Sequence, residues 1–130
     1  MVRRRSGSFR PSERVASFGP ALRGVRIVLG QPNAWIHAAA TLAVVALATL
    51  LGIPRDGALW LVAAVALVWT TEALNTALEQ LADAVHPDRH PLVGRAKDAA
   101  AGAVLLAATG AAVIGLLVLG PPLLAWLGAL

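Results

Sequence analysis

TTEALNTALEQLADAV, Thr70 to Val85, begins inside an apolar run and yet carries Glu72, Asn75, Glu79 and Asp83. At about 100° per residue, Asn75, Glu79 and Asp83, which follow Glu72 by 3, 7 and 11 positions, fall with it in one stripe less than a quarter-turn wide on a helix. Either the segment is the wet face of a soluble helix, or a membrane helix carries acids along one side.

Composition decides between these. The chain has 130 residues, 58% of them hydrophobic, and a mean hydropathy of +0.71. A chain of one-domain length has no soluble core large enough to hold that excess, so the solvent is lipid. Three segments are long enough to span, about 35–53, 58–85 and 97–119, the first and third near the ~20 residues a helix needs to cross ~30 Å of hydrocarbon and the second running past it. "GIPRDG" with Pro54 and Gly57, and "HPDRHPLVGR" with Pro87 and Pro91, separate them. The fold expected is all-α: three transmembrane helices preceded by a short amphipathic surface helix over "ALRGVRIVL", where Leu22, Val25, Ile27, Val28 and Leu29 flank Arg23 and Arg26. Residues 1–14 read as a basic, disordered N-terminus, 15–120 as the membrane domain, and 121–130 as a short apolar tail that is uncharged, too short to cross again, and expected to lie at the far interface or to fray.

Charge sets orientation. Arg3, Arg4, Arg5, Arg10, Arg14, Arg23 and Arg26 precede the first span, Arg89, Arg95 and Lys97 lie between the second and third, and only Arg55 lies in the other loop. The positive-inside rule makes the N-terminus and the second loop cytoplasmic and puts the C-terminus outside, in a multi-pass protein of the plasma or inner membrane. The same clustering argues against nucleic acid as a partner despite a formal net charge of +4. The polar "SGSFRPSER" after the basic head is not the apolar core of a signal peptide. With no cysteine, disulfides, thiolate metal sites and cysteine nucleophiles are excluded. Trp35, Trp60 and Trp126 fall near the span ends as interfacial anchors.

Depth can be assigned to the acidic stripe. Counting ~1.5 Å per residue inward from Ala58, Glu72 is ~21 Å in and Glu79 ~31 Å, so the stripe crosses the inner boundary with Glu72 at headgroup level. Any one of these groups has an ordinary explanation: an interhelical hydrogen bond, or for Asp83 a solvated helix end. Four on one stripe do not, because each unpaired charge in hydrocarbon costs roughly 2.5 kcal/mol or more. "GRAKDAAAG" then brings Lys97 and Asp98 back to the level of Glu79. A lone lysine there would be an anchor; facing carboxylates suited to Mg²⁺, it supplies the charge neutralisation that phosphoryl transfer from ATP requires. Neither GxxxxGK[ST] nor a kinase glycine loop is present, so a nucleotide site would be of another kind.

The stretch "EALNTALEQLADAVHPDRHPLVGRAKDAAAGAVLLAA" resembles the signature of the small bacterial integral-membrane diacylglycerol kinases, a family that includes the undecaprenol kinases. The shared features are an ExxNxxxExxxD helix and a fixed-length loop to GRAKD in a three-span chain. "SFGPALRGVR" resembles the family's surface helix, and "NAWIH" resembles the Asn and His that open the first span in the undecaprenol-kinase-like branch. The resemblance implies an ATP- and Mg²⁺-dependent kinase acting on a membrane lipid alcohol, undecaprenol or diacylglycerol, as a homotrimer with shared active sites. It assigns Glu72 as the base that takes the lipid hydroxyl proton, Asn75 as its orienting neighbour, Glu79 as a metal carboxylate and Lys97 as the phosphate-neutralising cation. It puts Asp83, Asp88, His90, Gly94 and Asp98 around the nucleotide, and Asn33 and His37 at the lipid site. His37 would otherwise read as an interfacial residue and His86 as part of the loop. Ala103, Ala107, Ala111 and Gly115, spaced by four, fit close helix packing in a trimer or equally inside one bundle.

Two positions depart from the family pattern. Where the family has a second metal-binding glutamate before the first span, alignment on Asn33 and His37 gives Gln31 and alignment on Gly24 gives Pro32; neither is an acid. Pro20 stands where the family has an aromatic residue at the nucleotide base. Two other readings stay open: a catalytically impaired relative serving as a membrane scaffold, supported by Gln31, and an oligomeric channel or proton-conducting bundle. A channel has no need of Lys97 and Asp98 at the cytoplasmic edge or of acids confined to one end. With Gln31 as a weak neutral ligand, Gln31→Glu should lower the Mg²⁺ concentration for half-maximal phosphoryl transfer, read from a Mg²⁺ titration; an unmoved curve removes Gln31 from the metal site.

Overall fold

A computed structural model describes residues 11–129, which form four helices: α1 (Pro11–Leu29), α2 (Pro32–Leu50), α3 (Arg55–Val85) and α4 (Pro91–Leu127). Among the described residues there is no strand. Three of the helices, α2, α3 and α4, are long and apolar enough to cross a membrane. Disorder expected over 1–14 falls largely on residues outside those described, and α1 already begins at Pro11.

Each junction has a local cause. α1 ends at Gly30, whose N–H bonds back to the Arg26 and Ile27 carbonyls, and Pro32 opens α2 immediately after, in the first helical turn where a missing N–H costs nothing. α2 ends in a six-residue closure: Gly52 adopts φ +60°, its N–H reaches Thr49 O at 3.3 Å, and Ile53 N–H reaches Ala48 O at 3.0 Å. That left-handed residue is where glycine is required. Pro54 then leads into α3. His86 ends α3, and His90 caps α4 by accepting the Leu92 N–H on Nδ1 at 3.3 Å, ahead of Pro91.

α3 and α4 form the principal pair of the bundle. They run antiparallel: Gly57 near the start of α3 meets Val118 near the end of α4, and Asp83 near the end of α3 meets Lys97 near the start of α4. The buried stripe on α3 is Leu61, Ala64, Val68, Glu72, Asn75 and Thr76, repeating every three to four residues, and α4 contributes Ala107 and Leu119. Halfway along, this one stripe changes from apolar to polar. α2 lies antiparallel to α3 on another side, with Ala34 buried and Thr41, Ala48 and Thr49 along the shared groove. Most of the large apolar side chains elsewhere on α2, α3 and α4 face outward, as lipid-facing surface does.

The boundaries differ from the sequence reading chiefly in α4, which begins at Pro91, inside the stretch read as a loop, and runs on at its far end. α4 does not stop at Leu119; it continues through Pro121 and Pro122 to Leu127, so the stretch expected to fray or lie at the interface is the last turns of the same helix. Each proline removes one N–H and leaves a carbonyl a turn earlier, a defect that apolar helices tolerate when neighbouring packing holds the backbone. Here Leu119 is buried and Pro122 and Leu123 are partly covered. At 37 residues α4 is ~55 Å long and α3, at 31, ~46 Å, both longer than the ~30 Å of hydrocarbon.

A Cβ on Gly57 would lie 2.9 Å from Ile53 Cγ2 and 3.1 Å from Val118 Cγ1, so a side chain here forces α3 and α4 apart. Gly57→Val should lower stability by about 1–3 kcal/mol. Gly110→Val, where nothing lies within 4 Å, should cost much less. Thermal unfolding of both variants in detergent micelles tests this; equal losses would show that Gly57 is not a packing constraint.

Candidate active site

Glu72 is the most buried large side chain, 2% exposed, because it occupies a packing position of α3 one turn beyond Val68. Its Oε2 has no hydrogen-bond partner within the chain; His37 Nε2 on α2 stands 3.5 Å away. Three residues further along, buried Asn75 donates from Nδ2 to Glu79 Oε1 at 3.2 Å and leaves its own Oδ1 without a partner. Two buried, unpartnered oxygens so close in sequence are unusual, since a buried polar atom without a bond costs about 1–3 kcal/mol. They line a cavity of about 300 Å³ whose polar side is Asn33, His37, Glu72, Asn75 and Glu79 and whose apolar wall is Ile36 of α2 with Ala101, Val104, Leu105 and Ala108 of α4. An arrangement of this kind can take a proton on Glu72 and admit a ligand with an apolar body and a polar tip.

One turn beyond Glu79 the chemistry changes sign. Lys97 Nζ donates to Asp83 Oδ1 at 2.8 Å, joining the start of α4 to the end of α3. The pair borders a second cavity of about 430 Å³ formed by the loop and the adjoining helix ends, with Asp83, His86, Asp88, Arg89, His90, Gly94 and Lys97 among its lining. His86 and His90 stack obliquely there, ring centres 5.0 Å apart.

The two cavities gather most of the residues singled out in the sequence. Asn33, His37, Glu72, Asn75 and Glu79 share the first, and Asp83, Asp88, His90, Gly94 and Lys97 the second. Gln31 and Asp98 line neither. Gln31 is the residue before α2, with Nε2 turned back toward Ile27 O at 3.5 Å. The sequence reading missed His86 and Arg89 as cavity residues, and it missed Thr41 and Trp69, which stand beside His37. Spacing held a signal for the last two: Trp69 precedes Glu72 by three positions and Thr41 follows His37 by four, each on the same helix face.

Among the described residues no three His, Asp or Glu side chains converge closely enough to hold a metal ion alone. The donors of the first cavity nevertheless suit Mg²⁺, a hard cation that is commonly held by one or two carboxylates with water and substrate phosphates completing its shell. Glu79 is a carboxylate of that kind, and the free Asn75 Oδ1 is an oxygen donor on the same helix face.

The chain matches the model of the family described as prokaryotic diacylglycerol kinase over residues 19–119, a range that contains both cavities. It is 42% identical over 112 residues to a diacylglycerol kinase of Synechocystis, an alignment covering 85% of this chain and 64% of that protein. It is 46% identical over 56 residues to an undecaprenol kinase of Bacillus subtilis, covering 43% of this chain and 46% of the relative. With a diacylglycerol kinase of Escherichia coli the identity is 36% over 85 residues, 60% of this chain and 70% of the other. The chain thus spans less than two thirds of the length of the first two relatives. With a family match running almost from the middle of α1 to the buried Leu119 of α4, the chain belongs to the prokaryotic diacylglycerol kinase family.

Proposed function

We propose that the protein is a lipid kinase that transfers the γ-phosphoryl group of ATP to the hydroxyl of a membrane lipid at the cytoplasmic leaflet. The observation that carries this reading is the Glu72 carboxylate, 2% exposed and with an oxygen left unpartnered, in an apolar-walled cavity on the same helix whose end borders a charged one. A buried base beside an apolar wall suits an alcohol on an acyl or isoprenoid chain; the Lys97–Asp83 end suits a water-soluble polyphosphate.

In the reaction Glu72 accepts the proton of the lipid hydroxyl as its oxygen forms a bond to the γ-phosphorus. The bond from that phosphorus to the β,γ-bridging oxygen breaks, ADP leaves with the electron pair, and the phosphorylated lipid and a protonated Glu72 remain until the proton returns to solvent. Asn75 orients the site while its amide holds Glu79. Lys97 neutralises nucleotide charge, and Asp83, Asp88, His90, Gly94 and Asp98 surround the nucleotide. Glu79, with Gln31 as a weak neutral ligand, would hold Mg²⁺, which would supply charge neutralisation at the phosphates. Asn33 and His37 lean the substrate toward undecaprenol, supported by their place in the Glu72 cavity; diacylglycerol is the alternative. The distribution of arginines supports a cytoplasmic N-terminus, an α1 lying on the inner leaflet and an outward C-terminus; of the small residues Ala103, Ala107, Ala111 and Gly115, Ala107 is buried inside the bundle and Ala103 faces outward, where it is compatible with a homotrimer. The placement of Gln31 away from the cavity favours one other reading, a catalytically impaired relative serving as scaffold.

Purified protein should transfer labelled γ-phosphate from Mg-ATP to undecaprenol or to a short-chain diacylglycerol, and Glu72→Gln should reduce transfer by about 10²–10⁴-fold while the variant stays folded. No transfer to either lipid at high Mg²⁺ selects the scaffold reading.

A further inference from the structure

Trp69 touches α2 twice. Its indole Nε1–H donates to Thr41 Oγ1 at 3.1 Å, and its ring meets the His37 ring edge to face with centres 6.1 Å apart. Thr41 Oγ1 in turn donates to the His37 carbonyl oxygen at 2.7 Å, so the hydroxyl is engaged as both acceptor and donor. On its other side Trp69 borders the groove formed by Ala21, Val25, Val28 and Leu29 of α1. Trp69 thereby joins α3 to α2 a single turn from Glu72, and shares a groove with α1.

The rest of the α2–α3 boundary is weakly directional. Beyond Thr41 the facing residues are Val44, Val45, Ala48 and Thr49 against Ala58, Leu61, Val62 and Val65, around an apolar groove of about 250 Å³. Apolar surfaces in lipid gain little from one register over another, whereas hydrogen bonds and close ring contacts fix it. Glu72 belongs to α3 and its neighbour His37 to α2, so their 3.5 Å separation depends on that register.

We infer that Trp69, acting through Thr41, is a positioning residue that holds α2 on α3 so that His37 Nε2 stands beside the Glu72 carboxylate. For its catalytic consequence this rests on the kinase reading; for its geometry it does not. Trp69→Phe keeps an aromatic ring, though a smaller one, and loses the donor, Thr41→Val keeps the shape and loses the hydroxyl, and Thr41→Ser keeps the hydroxyl.

The test uses the full chain in detergent micelles with two readouts. The first is kcat and KM for phosphoryl transfer to whichever lipid the wild type phosphorylates. Trp69→Phe and Thr41→Val should lower kcat by about tenfold or more with the KM for ATP little changed, since a displacement of about 1 Å costs up to a hundredfold in such sites. Thr41→Ser should retain activity, and Trp69→Phe should add little to His37→Gln. The second is the His37 ring C–H resonance, assigned by its loss in His37→Gln, which should move in Trp69→Phe and Thr41→Val and stay in Thr41→Ser. The inference is overturned if Thr41→Ser falls as far as Thr41→Val, if the Trp69 and His37 effects multiply, or if the His37 resonance does not move. A wild type that phosphorylates neither lipid sinks the kinase reading instead, and the resonance then decides the placement alone.

Discussion

The burial of one carboxylate in a helix packing position is the constraint around which the rest is arranged. Glu72 continues the stripe begun by Leu61, Ala64 and Val68, so the contacts that pack α3 also take the acid out of solvent. Such a group is expensive to bury without partners. The structure sets His37 Nε2 of α2 3.5 Å from Oε2 without a hydrogen bond to it, and walls the cavity with α4. A change that supplied that oxygen with a hydrogen bond from within the chain would relieve the burial cost and occupy its free lone pair together.

Architecture follows from where the helices are tied. α3 and α4 approach closely at Gly57 at one end and are bridged at the surface by the Asp83–Lys97 pair at the other, and together they form the frame of the molecule. α2 and α1 lean on that frame through fewer residues, and at the level of the site Trp69 is a principal one. Both cavities therefore have a fixed wall from the frame, and the first also has a wall from α2 whose position rests on a short polar chain.

Much of this was legible in the sequence because it depends on periodicity and composition. The three apolar helices, the breaks at Pro54 and at Pro87–Pro91, and the common face of Glu72, Asn75 and Glu79 all follow from spacing that a helix translates directly into geometry. What was not legible depends on pairing between helices. Nothing in the sequence says that Thr41 rather than Thr49 meets Trp69, or that the loop folds His86 onto His90. Pro121 and Pro122 misled for a related reason: their local cost is visible in the sequence, but the packing of Leu119 and Leu123 that outweighs it is not. Gln31 fell where a helix boundary, set by Pro32, points it back along α1.

The cap at the start of α4 has a consequence for tautomerism. His90 accepts the Leu92 N–H on Nδ1, so in the neutral ring that makes this cap the proton resides on Nε2. The imidazole is thus committed by the backbone: while α4 keeps its first turn, His90 can offer a guest in the loop cavity an N–H but no acceptor. Lys97 and Arg89 are likewise donors only, which leaves Asp83 and Asp88 as the charged acceptors among the lining side chains. A guest bearing many acceptor oxygens suits this inventory better than one rich in N–H groups, and that selectivity is written into a helix terminus rather than into any side chain's own preference.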